Sequence, residues 1–284
     1  MLLTDLLEPD GIDEAKLRDI AKASLLGAGL LGAGLGTANL GDRTPIAPAA
    51  ITQPAHSADA AAEPKAAAAP QIAQNNPNFP AVLKGLDSKD AKTRVDTFKQ
   101  VVLPLIDKEN ADIKRQRQAL MQLANQKTLT KEQAAWIEGM KAYYKADNLK
   151  DLVAKVDIVP RSMALAQAAV ESGWGQQPLA QQANVFYGQK TFDPEAPSAT
   201  GPYGEKYRAF DSPEDSVRAY MRNLNTHPAY ETFRSARADL RKHGKPLQGD
   251  RLIHSLTSYS TKGGYGQQLQ SIIRSHGINK LDTN

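Results

Sequence analysis

The stretch "ALAQAAVESGWG", residues 164–175, decides how this chain is read. Ala164, Leu165, Ala166, Ala168, Ala169 and Val170 make a helix that is small and apolar all round. Such a helix belongs at the centre of a helical fold, where neighbours approach closely. Pro160 opens it at a position where the missing N–H costs nothing. Gly173 and Gly175 break it. Just before the break stands Glu171, in a last turn where the helix dipole disfavours negative charge. A helix C-terminus, apolar walls and Trp174 all push a carboxyl pKa upward. A carboxyl that keeps its proton near neutral pH is what a general acid needs to protonate a leaving glycosidic oxygen. The plainer reading of the same residues is an exposed glutamate at a helix end.

Upstream, Val95, Phe98, Val102 and Ile106, then Ile113, Leu120 and Leu123, recur at helical spacing. Pro104 is expected to kink or interrupt the first of these helices. "TKEQAAWIEGMKAYYK" starts with Thr130 and Gln133 in capping-box positions, followed by a core stripe of Trp136, Ile137, Met140 and Tyr144. Downstream, residues 184–210 change character. "NVFYGQKTF" and "EKYRAF" are short, aromatic and β-prone, with the turn-rich "DPEAPSATGPYG" between them. This predicts a β-hairpin with a long loop. Ser212 and Pro213 open a further helix whose buried face is Val217, Tyr220, Met221 and Leu224. Two more helices are expected, at residues 250–259 and 265–277. The fold class is α+β, mostly helical with a small β-hairpin lobe.

The chain has 284 residues, and their charge is uneven. Residues 1–79 hold five Lys/Arg and nine Asp/Glu, a net −4, which leaves +8 for residues 80–284. A basic folded part suits an anionic polymer as partner. Three regions follow. Residues 1–40 form an N-terminal segment with the short apolar run "SLLGAGLLGAGLG". Residues 41–80 form an Ala/Pro-rich linker, 20 of its 40 positions being alanine or proline, too poor in large apolar side chains to fold. Residues 81–284 form the globular domain. The apolar run is short for a spanning helix, and the acidic residues before it do not make a secretory n-region. It stands as a signal, an anchor or an assembly segment, and so as a contact with a membrane or a larger assembly.

No cysteine is present, which excludes a disulfide scaffold, a Cys nucleophile and thiolate metal sites. There is no phosphate-loop order of residues and no Gly-x-Ser-x-Gly elbow. The five histidines are scattered without metal spacing. No metal, no cofactor and no nucleic-acid partner are expected.

Four blocks in order carry a resemblance: "ALAQAAVESGWG", then "ANVFYGQK", then "YRAFDSPEDSVRAYMRNLNTHPAY", then "SYSTKGGYGQQLQSII". Together they resemble bacterial β-N-acetylglucosaminidases of the Bax type, in the wider peptidoglycan glucosaminidase family that includes flagellar-rod muramidase domains. The similarity covers about residues 94–278. It implies a lysozyme-like fold with a cleft between the helical lobe and the hairpin, and hydrolysis of the β-1,4 bond after N-acetylglucosamine in peptidoglycan glycan strands. The family's general acid falls on Glu171, and its downstream aromatics fall on Tyr259, which would be catalytic by orienting or stabilising the reacting sugar, and on Tyr265. Lys262 stands where the family usually has an aspartate. The second carboxylate is expected on the hairpin: Glu205 is the candidate, with Asp193 and Glu195 as alternatives. The sugar's own N-acetyl group is the other candidate nucleophile.

Trp174, Asn184, Tyr187 and Tyr265 are candidate substrate contacts. For Trp174 and Tyr187, cleft wall and core stand equal. Asn184 suits the hairpin turn, since Asn side chains bond nearby backbone readily. Phe186 suits the core, and Tyr203 could stack on a sugar face. A lysozyme or lytic transglycosylase cutting the other bond, and a non-catalytic wall-binding protein, are the competing readings. The expected location is the cell envelope, periplasmic or inner-membrane associated, with a phage virion as the alternative.

Overall fold

A computed structural model describes residues 76–256, 259 and 264–282. The apolar N-terminal run and nearly all of the Ala/Pro-rich linker lie outside these residues. Packing begins two residues before the boundary read from composition: Phe79 is buried and its ring stacks on Phe186 at 6.1 Å.

Helix α1 spans Ala91–Ala124. Val95, Phe98, Val102, Ile106, Ile113, Leu120 and Leu123 are all buried along it, as their spacing predicts. The break expected at Pro104 is absent, and one helix runs through it. Pro104 and Gln100 are both exposed, so the bond that proline withdraws from the Gln100 carbonyl is lost where water can replace it. Helix α2, Lys131–Tyr144, opens on the expected capping box of Thr130 and Gln133. Helix α3, Leu149–Lys155, is capped by Asn148. Helix α4, Arg161–Ser172, is the small-residue helix, and Met163 to Ala169 along it are buried at every position. Helix α5 is Pro178–Ala183.

The hairpin exists but is displaced. Strand β1 is Ser198–Thr200 and β2 is Lys206–Arg208, antiparallel, with Ala199 opposite Tyr207. The first strand therefore lies in the segment expected to be turn. "NVFYGQKTF" contributes only a bridge from Lys190 to Tyr207. The reason is burial: Ala183 to Tyr187 are buried consecutively, and Asn184 is left-handed at φ 52°, which no strand tolerates.

Helix α6, Pro213–Thr226, follows, and Ser212 accepts from the Asp215 N–H at 3.2 Å as its cap. Helix α7, Glu231–Lys242, has no counterpart in the sequence reading; nor do α3 and α5. The helix expected at residues 250–259 is shorter: α8, Gly249–Leu252, then a 3-10 turn at Ile253–Ser255. Helix α9 is Tyr265–Ser275. The observed class is α+β, mostly helical with one two-stranded sheet among the described residues.

Contacts divide the chain into two units. One draws on described residues within 107–164 and 221–282 and is helical. Its centre holds an ion cluster. Asp157 is 2% exposed and takes a two-pronged bond from Arg241, at 2.8 and 3.0 Å. Arg237, fully buried, donates to the carbonyls of Ala154, Asp157 and Ile158 and to Asn225 Oδ1, all within 3.0 Å. Arg117 donates to the carbonyls of Val153 and Val156. Three guanidinium groups thus tie the end of α3 to α1, α6 and α7. In the same unit the Asp282 carboxylate accepts from the N–H and the hydroxyl of Ser162, at the start of α4, and from the Gly249 N–H.

The second unit draws on described residues within 76–106 and 165–220. It holds the rest of α4, the hairpin, and a core in which Phe186 meets the rings of both Phe79 and Phe98. Under the sheet, Ala183, Val185 and Ala199 are buried together, with Leu179, Tyr207 and Ala209 packed against them.

Candidate active site

Glu171 sits in the last turn of α4, half-buried. The exit is tight: Gly173, Trp174 and Gly175 are all left-handed, at φ 57°, 57° and 78°. For Trp174 that conformation is uncommon and strained. Hydrogen bonds hold it in place. The Ser172 hydroxyl donates to the Ala168 carbonyl and accepts from the Gly175 N–H at 2.9 Å. The Trp174 N–H reaches the Ala169 carbonyl at 2.9 Å. The indole meets the ring of Phe98 edge-on at 5.5 Å. Gly175 allows close approach, since a Cβ there would already touch Leu83 and Phe98.

Opposite the acid lies Gly188, at φ +60°. A Cβ on it would come within 2.9 Å of Glu171 Oε2. The segment leading to it is fixed from inside. Asn184 is fully buried, left-handed, and donates through Nδ2 to the Phe210 carbonyl at 2.9 Å. Phe186 is buried in the aromatic core. Tyr187 is buried with its ring parallel to that of Tyr220 at 3.8 Å, and Tyr220 donates to Gln167. Burial pushes the Tyr187 hydroxyl far above its ordinary pKa.

Glu205 lies in the loop between β1 and β2, half-buried. Its Oε2 accepts the Tyr203 N–H at 3.0 Å and its Oε1 accepts the Tyr207 hydroxyl at 3.3 Å. Its carbonyl accepts the Gly201 N–H at 2.7 Å. Tyr207 connects the two glutamates electrostatically. Its hydroxyl is pushed up to about 12, first by burial, then by the Glu205 charge and hydrogen bond, then by the Glu171 charge. Lys190 Nζ lies 6.0 Å from the same ring.

The other candidates sit differently. Asp193 accepts the Glu195 N–H at 3.0 Å and closes its own turn, while Glu195 is exposed. Tyr203 is 91% exposed. Tyr259 and Tyr265 belong to the helical unit; their rings are nearly parallel at 5.6 Å, and Tyr259 also meets Tyr230 at 6.0 Å. Lys262 lies outside the described residues. Thus Glu171 and Glu205 both act on the Tyr207 hydroxyl, while Trp174 packs on Phe98 and Asn184 fixes the backbone at the end of α5. The sequence reading missed Tyr207 and Gly188. Tyr207 carried a signal only as an aromatic two residues beyond Glu205 on a strand.

The chain is similar to several known proteins. Residues 146–277 match the glucosaminidase family, described as mannosyl-glycoprotein endo-beta-N-acetylglucosaminidase. Protein Bax of Escherichia coli K12 is 37% identical over 178 residues, which cover 60% of this chain and 65% of Bax. The chain thus spans just under two thirds of that relative's length. Among solved structures, the catalytic domain of the autolysin Auto from Listeria monocytogenes aligns with 56% of this chain and 93% of its own, at 17% identity and a TM-score of 0.33. Glu171, Glu205, Tyr259 and Tyr265 all fall inside the matched segment, and the resemblance carried by the four sequence blocks is borne out: residues 146–277 match the glucosaminidase family, and the chain is similar to Bax.

Proposed function

We propose that this protein is a peptidoglycan hydrolase that cleaves the β-1,4 bond after N-acetylglucosamine, with Glu171 as general acid. The observation that carries the reading is the cluster itself. Within a glucosaminidase family domain, a glutamate ends a buried helix, faces a glycine with no side chain, and shares Tyr207 with a second carboxylate. The helix C-terminus and partial burial favour the protonated acid. Glu205 is the second carboxylate in this reading, activating water or stabilising the cationic sugar. Tyr259 and Tyr265 contact the glycan, and Trp174 and Tyr187 shape the site. The +8 of residues 80–284 suits a polymer bearing peptide carboxylates.

The wall lies outside the cytoplasm, so the protein acts there, in the periplasm or from a phage virion. The segment at residues 1–40 supplies the membrane or assembly contact. Among the described residues no helix is long and apolar enough to cross a membrane. Mass spectrometry of products released from purified sacculi by wild type and by Glu171→Gln tests the whole reading. New N-acetylglucosamine reducing ends that vanish in the variant are expected. Muramic or anhydromuramic ends would replace it with the lysozyme or transglycosylase reading, and lysis unchanged in the variant would remove Glu171 from the chemistry.

A further inference from the structure

Glu205 reaches the site from a short loop, and something must hold it there. Gly201 shows how tightly it is held. A Cβ at that position would stand 2.5 Å from the Tyr207 ring edge and 2.8 Å from Glu205 Oε2. Only a glycine lets the phenol and the carboxylate close on the same strand end. Oε2 is taken by the Tyr203 N–H, and Oε1 by the Tyr207 hydroxyl. Tyr207 is anchored in turn: β2 pairs it with Ala199 on one side and Lys190 on the other. Its ring packs on Ala183, Val185 and Ala199. The charged groups around it are Glu171, Glu205 and Lys190, while the Lys206 ammonium is turned to Thr200 at 2.7 Å.

We propose that Tyr207 is a positioning residue for the reaction, its hydroxyl holding the Glu205 carboxylate in the working geometry beside Glu171. This rests on the hydrolase reading above. The phenol keeps its proton across the whole range in which a glycosidase works, since burial and the two neighbouring carboxylates push it up to about 12. It is therefore a constant donor to Glu205, and it does not exchange a proton with the sugar. A carboxylate held at both oxygens enters the transition state without reorganising, and small misplacements of such groups cost rate steeply.

Tyr207→Phe in the full chain removes one oxygen and keeps the packed ring. Assayed by release of reducing ends from purified sacculi, it is expected to lower kcat about tenfold or more while KM changes little and the thermal midpoint stays in place. Combined with Glu205→Gln it is expected to slow the enzyme no further than Glu205→Gln alone, because both remove the same contact. Should the phenylalanine variant melt early, Glu205→Asp reads that contact from the other side, since it withdraws the carboxylate from the hydroxyl; a similar fall in kcat is expected. Wild-type kcat in Tyr207→Phe, or losses that multiply in the double variant, would overturn the proposal while leaving Glu171 as the acid. Full activity in Glu171→Gln would instead bring down the hydrolase reading, and this inference with it.

Discussion

Two carboxylates, Asp157 and Glu171, stand 14 residues apart in sequence and meet opposite fates. Asp157 is buried among Arg117, Arg237 and Arg241. Burial alone pushes its carboxyl up, but the three guanidinium groups outweigh burial and hold it well below the ordinary range. It is a fixed anion. Glu171 is half-buried at the foot of a helix, where the dipole opposes charge. Its surroundings are shaped by what is left out, a side chain at Gly188, and by a phenol. One carboxylate keeps its charge around neutrality because of its neighbours; the other is, in the function proposed above, the group that gives up a proton. Acid residues thus divide between architecture and chemistry by neighbours, and the type of side chain says little.

The largest expected effect breaks that contrast on the chemical side. Glu171→Gln should lower the rate of sacculus lysis by about 10²- to 10⁴-fold, the usual worth of a positioned general acid. Its denaturation midpoint should stay near that of wild type. On the architectural side, Arg237→Ala leaves Asp157 and several backbone carbonyls without their buried partner. It should cost about 3–5 kcal/mol of unfolding free energy, the usual penalty for breaking a buried ion pair, read by urea denaturation followed by circular dichroism.

Gly188→Ala tests whether the acid depends on an empty place. The left-handed backbone should cost about 1–2 kcal/mol, and the new methyl group would displace Glu171 Oε2. Lysis should therefore fall by about tenfold to a hundredfold, well beyond what the stability loss explains. The smallest effect concerns pH. A carboxyl held low in the folded state stabilises it above the unfolded pKa of about 3.9, and loses that contribution as pH falls through the lower folded value. Wild-type stability should therefore keep falling below pH 4 through Asp157. Asp157→Asn should be less stable near neutrality and should lack that part of the acid dependence, as denaturation curves across this range would show.

The same contrast explains what could be read from the chain and what could not. Helix α4, its acid and its glycine exit follow from local rules, and so do the caps at Thr130 and Ser212. Helix α7 was invisible because its buried face is Phe233, Arg234 and Arg237. Periodicity looks for apolar residues, and here guanidinium groups fill the core, made acceptable by Asp157 and carbonyls far along the chain. Strand β1 hid in a run of proline, serine and glycine because its partner supplies the pairing. Of the proposed site, Glu171 and Glu205 are candidates that the resemblance alone suggests. Tyr207 carries no such signal, since its hydrogen bond to Glu205 and its packing appear only once the hairpin is folded.

The strained indole after the acid has a practical consequence. The chain contains only two tryptophans, Trp136 and Trp174, and Trp174 lies three residues from Glu171 with its ring against Phe98. The emission of a Trp136→Phe protein would come from that one residue. The turn after Glu171 thus supplies an intrinsic optical reporter, and a change in its emission on adding a saccharide would test the proposed site with no label attached.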